Sequence, residues 1–329
     1  MNIIEVEHLR KYYKTYKRFP GLVGAFKTLF TREFDTTKGV DDISFTIKQG
    51  ESVGYLGPNG AGKSTMIKML TGILVPTSGQ VTVNGLVPFQ NRKKLAKNIG
   101  VVFGQRSQLW WDIPVVDSFE LHKYIYKISE TDYQKRLNIY IDMLDMSSFM
   151  NKAVRQLSLG QRMRAEIALA LIHDPQLLFL DEPTIGLDVV GKHKIREFLA
   201  YINKEKNTTI ILTTHDLKDI EEVCSRIMIV NQGKSHYDGP VDQLSRQITL
   251  KKKVTIEFVD NPGEIHIPKA SLIRDEGSRK ILEFEEGVDI IKAINGISGQ
   301  HLIKDISIES ADIEEVIRLY FNQISEKAM

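Results

Sequence analysis

The stretch ESVGYLGPNGAGKSTMIKML, residues 51–70, decides how the rest of the chain reads. Its opening ESVGYL (51–56) has the apolar character of a buried strand, and Met66, Ile67, Met69 and Leu70 recur at helical spacing. Between them Gly57-Pro58-Asn59-Gly60-Ala61-Gly62-Lys63-Ser64, followed by Thr65, is a complete G-x-x-x-x-G-K-S phosphate loop. The glycines let the backbone wrap until several N–H groups point at one anion, and the N-terminus of the next helix adds partial positive charge. Lys63 is expected to reach the β- and γ-phosphates of a nucleotide, and the Ser64 hydroxyl to coordinate Mg²⁺. A strand before the loop and a helix after it separate this reading from a chance glycine-rich turn.

Further along, QLLFLDEPT (176–184) is an apolar strand that ends in two acids, Asp181 and Glu182. An unbroken apolar run suits a strand covered on both faces, as in a parallel sheet flanked by helices. Carboxylates at the carboxyl end of such a strand sit where α/β folds bind ligands. Asp181 is then placed to hold the Mg²⁺ water shell, and Glu182 to orient and deprotonate an attacking water. An acidic pair after a strand is by itself often a solvated turn; beside a phosphate loop it acquires a role.

Bulk properties narrow the setting. The 329 residues suffice for one large domain and a smaller one. Forty-four basic against 42 acidic residues leave a net charge of +2, so charge implies no nucleic acid partner. A single cysteine, Cys224, excludes an internal disulfide framework and suits a reducing compartment. No apolar run approaches the roughly 20 residues that span a bilayer, and the acidic start MNIIEVEHLR is unlike a signal peptide. A cytoplasmic protein is expected.

With these motifs in place, the chain resembles the ATP-binding subunits of ABC transporters over roughly residues 1–245. LSLGQRMRAEIALAL (157–171) looks like the family's signature motif, with Leu159 where the family usually has glycine. Its physical logic stands without the name: Ser158 is a good N-cap, a helix is expected from Gly160, and that helix N-terminus is a second anion site. The resemblance implies that Ser158, Gly160 and Gln161 close on the ATP held by another subunit's phosphate loop. It also implies that Gln105, in VVFGQRSQLWWD, touches Mg²⁺, that Asp188, in TIGLD, couples two ATP sites, and that His215, in IILTTHD, bonds the γ-phosphate. Tyr13 falls where an aromatic ring stacks on adenine, with neighbouring Tyr12 as the competing assignment. The implied fold is an α/β P-loop NTPase of the ABC ATPase type, a mixed sheet with a helical subdomain, followed by a small C-terminal α+β domain. The implied activity is hydrolysis of ATP with Mg²⁺. The implied partners are transmembrane permease subunits and a second copy of the chain or a paralogous ATPase subunit, at the inner face of the membrane. No nucleic acid partner is implied.

The remaining segments are placed against that frame. The ATP-binding domain is expected over 1–247, with an amphipathic insertion at 14–38 and a helical subdomain over about 92–172, and an accessory domain over 248–329. NGLVPFQNRKKLAKNIGVVF reads as strand, basic turn and strand, and DSFELHKYIYKI and ETDYQKRLNIYIDMLDM as amphipathic helices, the first opening on a D-x-x-E capping pattern from Asp117. Trp110 and Trp111 either fill the local core or offer an anchor to a partner. ITLKKKVTIEFV, SRKILEFEE and LIKDISIES alternate like half-buried strands, with helices at VDIIKAINGI and ADIEEVIRLYFNQ. FPGLVGAFKTLFTREF (19–34) carries Leu22, Val23, Phe26, Leu29 and Phe30 on one stripe beside basic residues, the composition of a helix lying on a bilayer, in a permease groove or on the protein's own flank. Type-2 exporters of glycopolymers carry a similar insertion, which favours export; an importer ATPase, or a soluble ATPase regulator without a permease, is the alternative.

Overall fold

Strand β3 (Ser52–Leu56) is buried at every position, β6 (Leu177–Asp181) at all but its last, and β7 (Thr209–Thr213) throughout. Such strands need cover on both faces. In the computed structural model, which describes residues 1–16, 34–104, 107–214, 216–247, 252–284, 288–299, 301–309 and 315–321, they form the centre of a sheet completed by β5 (Ile99–Phe103), β8 (Arg226–Asn231) and β9 (Lys234–Pro240). The order is β5-β6-β7-β3-β8-β9. Every pairing is parallel except β8 with β9, so the sheet is mixed. Residues 17–33, with most of the amphipathic stretch, and Gln105 and His215 lie outside the described residues.

A second, antiparallel sheet has the order β2-β1-β4, from β1 (Asn2–Tyr16), β2 (Phe34–Lys48) and β4 (Ser78–Val83). Its inward Ile4, Val6, Leu9, Val40, Ile43, Phe45 and Ile47 pack with Met66, Met69 and Leu70 of helix α1 (Lys63–Leu70) into one core. At roughly 1.5–3 kcal/mol for each large apolar side chain removed from water, this core fixes the phosphate-loop helix between the two sheets. The other α-helices among the described residues of this unit are α2 (Arg92–Leu95), α3 (Val115–Tyr126), α4 (Glu130–Met143), α5 (Leu159–Leu171), α6 (Val189–Lys206) and α7 (Leu217–Val223).

Several boundaries differ from the sequence reading for identifiable reasons. Helix α3 begins at Val115 with Pro114 at the cap position, so Asp117 lies within its first turn and caps nothing. The carbonyls of Lys152 and Met150 take the Val115 and Val116 N–H groups, which makes a side-chain cap unnecessary there. Ser129 caps α4 through the Asp132 N–H. The segment after Val83 is a turn closed by a Val83–Leu86 bridge, and the basic residues 92–95 form one helical turn. Strand β5 is the second strand expected in NGLVPFQNRKKLAKNIGVVF, and although it falls within the 92–172 range given to the helical subdomain, it belongs to the central sheet. Strand β2 starts at Phe34, and its polar first half pairs with the basic end of β1.

The chain divides into two compact units, Met1–Pro240 and Val241–Met329. Helix α8 (Val241–Gln247) belongs to the second, whereas the sequence boundary at 247/248 follows the change of composition near Lys251. The second unit contains an antiparallel sheet of β10 (Lys252–Phe258), β11 (Ala270–Glu276), β12 (Arg279–Phe284) and β13 (Ile303–Glu309), in the order β11-β12-β10-β13. Helix α9 (Ile290–Ser298) packs Ile290, Ile294 and Ile297 on Val254, Ile256, Phe258, Leu282 and Phe284. Residues 315–321 are helical. The edge strand β11 is absent from the sequence reading because it is exposed almost throughout and shows no alternation of burial.

One close approach seats α5 on the central sheet. A Cβ on Gly100 of β5 would stand 2.3 Å from the Ala170 carbonyl oxygen. Gly100→Ala is therefore expected to destabilise the first unit by about 1–3 kcal/mol, seen as a lower urea midpoint. An unchanged midpoint would contradict this packing.

Candidate active site

The phosphate loop leaves β3 at Leu56 and enters α1 at Lys63. Its last glycine, Gly62, stands at φ 100 as the helix N-cap, and a Cβ there would lie 2.0 Å from the Gly39 carbonyl oxygen. Only glycine fits both the conformation and the space. Lys63 folds back over the loop and donates to the carbonyls of Gly57 (2.7 Å) and Pro58 (3.3 Å). Burial pushes its ammonium below the ordinary lysine range, and the charges of Glu182 and Asp181 oppose that shift. The ammonium thus waits at the loop among carbonyl dipoles, which an incoming anion can replace.

Asp181 ends β6 beside the loop. The Ser64 hydroxyl donates to its Oδ2 at 3.0 Å and the Thr213 hydroxyl, at the end of β7, to its Oδ1 at 2.5 Å. Ser64 and Asp181 are far apart in sequence, and the parallel pairing of β6 with β7 and β7 with β3 brings them together. Glu182 follows in the left-handed region, at φ 57, with its N–H on the Thr213 carbonyl at 2.9 Å. Backbone in that region is uncommon for a side chain of this size and marks a position held by its surroundings. A cleft of about 430 Å³ opens here, walled by Ser64, Lys68, Phe103, Gly104, Asp181 and Glu182. Hard oxygen donors from a hydroxyl and a carboxylate, side by side, fit a Mg²⁺ ion that completes its shell with water and phosphate.

The strand register separates the two tyrosines. The Tyr13 hydroxyl lies 3.2 Å from Thr65 Oγ1, directly beyond the phosphate loop, and its ring is partly exposed. Tyr12 donates to Asp41 Oδ1 at 2.5 Å, and Lys38 Nζ lies 2.8 Å from Asp41 Oδ2. Consecutive residues of a strand face opposite sides, so of the two only Tyr13 has its ring at the loop. Helix α5 begins at Leu159, one residue before the expected Gly160, and Ser158 caps it. Ser158 and Gln161 form a reciprocal capping box, the Gln161 N–H on Ser158 Oγ at 3.2 Å and the Ser158 N–H on Gln161 Oε1 at 3.0 Å. Asp188 caps α6 by accepting the Gly191 N–H at 2.8 Å. Trp110 and Trp111 are 57% and 53% exposed, so neither fills the core.

The sequence and the fold have known relatives. The ABC transporter family model matches residues 40–185. The chain is 33% identical over 207 residues to the ABC transporter ATP-binding protein NatA of Bacillus subtilis, which covers 63% of this chain and 84% of that one. This chain belongs to the ABC transporter ATP-binding proteins. It is also 31% identical over 281 residues to the bacitracin transport ATP-binding protein BcrA of Bacillus licheniformis, covering 80% of this chain and 90% of that one. Among solved structures it resembles the dimeric post-hydrolysis state of the ATP-binding cassette MJ0796 bound to ADP and Pi. That match has a TM-score of 0.60 and 27% identity, and covers 72% of this chain and 98% of the other. The protein is an ATPase subunit of the ABC class, and none of its described helices is long and apolar enough to cross a membrane.

This ATP-binding cassette also carries residues at its site that the motifs do not announce. Asp219, 1% exposed, accepts from Thr184 Oγ1 (2.5 Å), Thr214 Oγ1 (2.8 Å) and Arg196 Nε (2.6 Å). Arg196 also reaches Asp216 at 3.1 Å, and Lys192 reaches Asp216 at 2.7 Å. The network joins the turn after Glu182, the end of β7 and helix α6. Removing one partner of a buried pair leaves the other charge uncompensated. Asp219→Ala is expected to cost about 3 kcal/mol of stability in chemical denaturation, and to lower ATP turnover about tenfold by releasing Thr184 and Thr214. Wild-type stability together with wild-type turnover would remove Asp219 from the site's support.

Proposed function

We propose that this ATPase subunit pairs with a second copy or a paralogue around two ATP·Mg²⁺ and drives a separate transmembrane permease in the direction of export. The observation that carries the catalytic part is the convergence of Ser64, Asp181 and Glu182 on one cleft wall, with Lys63 folded over the adjoining phosphate loop. Ser64 and Asp181 would hold Mg²⁺, which supplies neutralisation of phosphate charge when bound. Lys63 exchanges its carbonyl contacts for the β- and γ-phosphates, while the loop N–H groups take the remaining oxygens. Tyr13 stacks on the adenine. Glu182 orients a water and takes its proton as the water attacks the γ-phosphoryl group. In this reading Gln105 and His215 contribute to the metal and the γ-phosphate. Ser158, Gly160 and Gln161 present the α5 N-terminus to the other subunit's nucleotide, and Asp188 lies at the junction of the two sites.

The permease part rests on apolar surface. Trp110, Trp111, Tyr124 and Ile125 are all more than half exposed, on the α3 helix and the loop before it. Exposed aromatic side chains are of the kind that anchor partners. Export is favoured by the basic, amphipathic insertion. It is also favoured by the name of a relative 34% identical over 229 residues, the Nod factor export ATP-binding protein I of Neorhizobium galegae.

Two experiments test these roles. Glu182→Gln is expected to keep ATP affinity within about threefold and to lower turnover by about 100-fold or more in a phosphate-release assay; wild-type turnover would overturn the role given to Glu182. Deletion of residues 19–34 is expected to leave ATP binding intact while abolishing co-purification with an integral membrane protein from solubilised membranes. A deletion chain that loses ATP binding and folding instead would place that segment on the protein's own core.

A further inference from the structure

Helix α5 carries an acid that the reaction as described does not use. Glu166, two turns beyond the Ser158 cap, is 4% exposed. Its carboxylate faces the segment that follows β5. The Ser107 hydroxyl donates to Oε1. The Gln108 N–H donates to both oxygens, at 3.1 and 3.0 Å, and the Leu109 N–H to Oε1 at 3.5 Å. Burial raises this carboxyl above its ordinary range, while the bonds from Ser107, Gln108 and Leu109 and the charge of Arg162 act the other way. A buried carboxylate is retained at such cost only where its acceptors are occupied.

The segment it grips has functional groups at both ends. Gly104, whose N–H bonds the Asp181 carbonyl at 3.0 Å, stands in the wall of the nucleotide cleft three residues before Ser107. Trp110 and Trp111 follow at once, and the Trp110 N–H is held by Ser118 Oγ at 3.1 Å. We infer that Glu166 is a positioning residue. It makes the signature helix, the end of the cleft wall and the exposed tryptophan pair move as one body when the nucleotide state changes. A carboxylate suits this because each oxygen accepts without needing to donate; a neutral amide of the same size would aim an NH₂ at the backbone N–H groups.

Trp110 and Trp111 are the chain's only tryptophans, so intrinsic fluorescence reads this segment directly. The full chain would be measured with and without MgATP, by tryptophan emission and acrylamide quenching, beside steady-state ATPase kinetics. The wild-type tryptophans are expected to change quenching when MgATP is added. In Glu166→Gln that response should fall by about half or more, with kcat down about tenfold and KM for ATP within about twofold. Ser107→Ala, which removes one donor and keeps the acid, should move both readouts in the same direction by less, and stands as the test if Glu166→Gln does not fold. Three results overturn the inference. One is a wild-type chain whose tryptophans ignore MgATP. Another is a Glu166→Gln chain with wild-type response and kcat. The third is a loss of kcat that merely tracks the folded fraction in a thermal melt, with a normal tryptophan response.

Discussion

The contact on which the site depends is the approach of the Gly62 backbone to the Gly39 carbonyl, too close for any side chain at Gly62. It brings the antiparallel sheet against the first residue of the phosphate-loop helix. The Asp41 N–H bonds the Gly233 carbonyl at 2.7 Å, and the Gly233 N–H bonds the Ala61 carbonyl at 3.2 Å. Three backbone segments, 39–41, 61–62 and the β8–β9 turn, therefore meet around the loop. One consequence is that Tyr13, whose ring packs beside Gly39, is held next to Thr65. The Tyr13 ring and the phosphate loop are thus positioned relative to each other by one rigid contact.

Around that contact the support is polar and buried, and its energetics are those of networks. Asp219 shares a buried ion pair with Arg196 and takes two threonine hydroxyls, whereas Glu166 spends its lone pairs on backbone N–H groups and one hydroxyl. Neither arrangement is expected to add much net stability over an apolar substitute, since desolvation offsets most of the attraction. What each gives is a fixed geometry for the loops it bonds. Loops beside the nucleotide must be ordered yet able to take a second arrangement, and hydrogen-bonded carboxylates permit that better than a packed core does.

How much of this could be read from the residues follows from the range of the interactions. The phosphate loop is legible because its spacing is a local property of one backbone turn between a strand and a helix. The Asp181–Glu182 pair is legible because an apolar run ends on it. Tyr13 could be separated from Tyr12 only with the β1–β2 register in hand, since the two alternate across one strand. Asp219 and Glu166 were out of reach: each lies in a helix whose other residues look ordinarily amphipathic, and their partners are 35 and 58 residues away or nearby without a motif. A buried acid and a solvated one have the same letter, and only the tertiary fold distinguishes them.

Leu159 shows the same rule from the other direction, where a residue that departs from its motif is explained by a distant neighbour. A leucine at the start of the signature helix adds bulk beside the N–H groups of its first turn. The structure turns that bulk aside. Leu159 Cδ2 lies 2.7 Å from where a Cβ on Gly186 would stand, and Gly186 is at φ 70 in the turn before Asp188. Gly160, next along the helix, faces Leu187 with room for a methyl group. The leucine is therefore accommodated by a glycine in the 184–188 turn, and the capped helix end keeps its backbone accessible. The bulk of Leu159 fits here because the turn that carries Asp188 yields the space, which ties the two segments together within one chain.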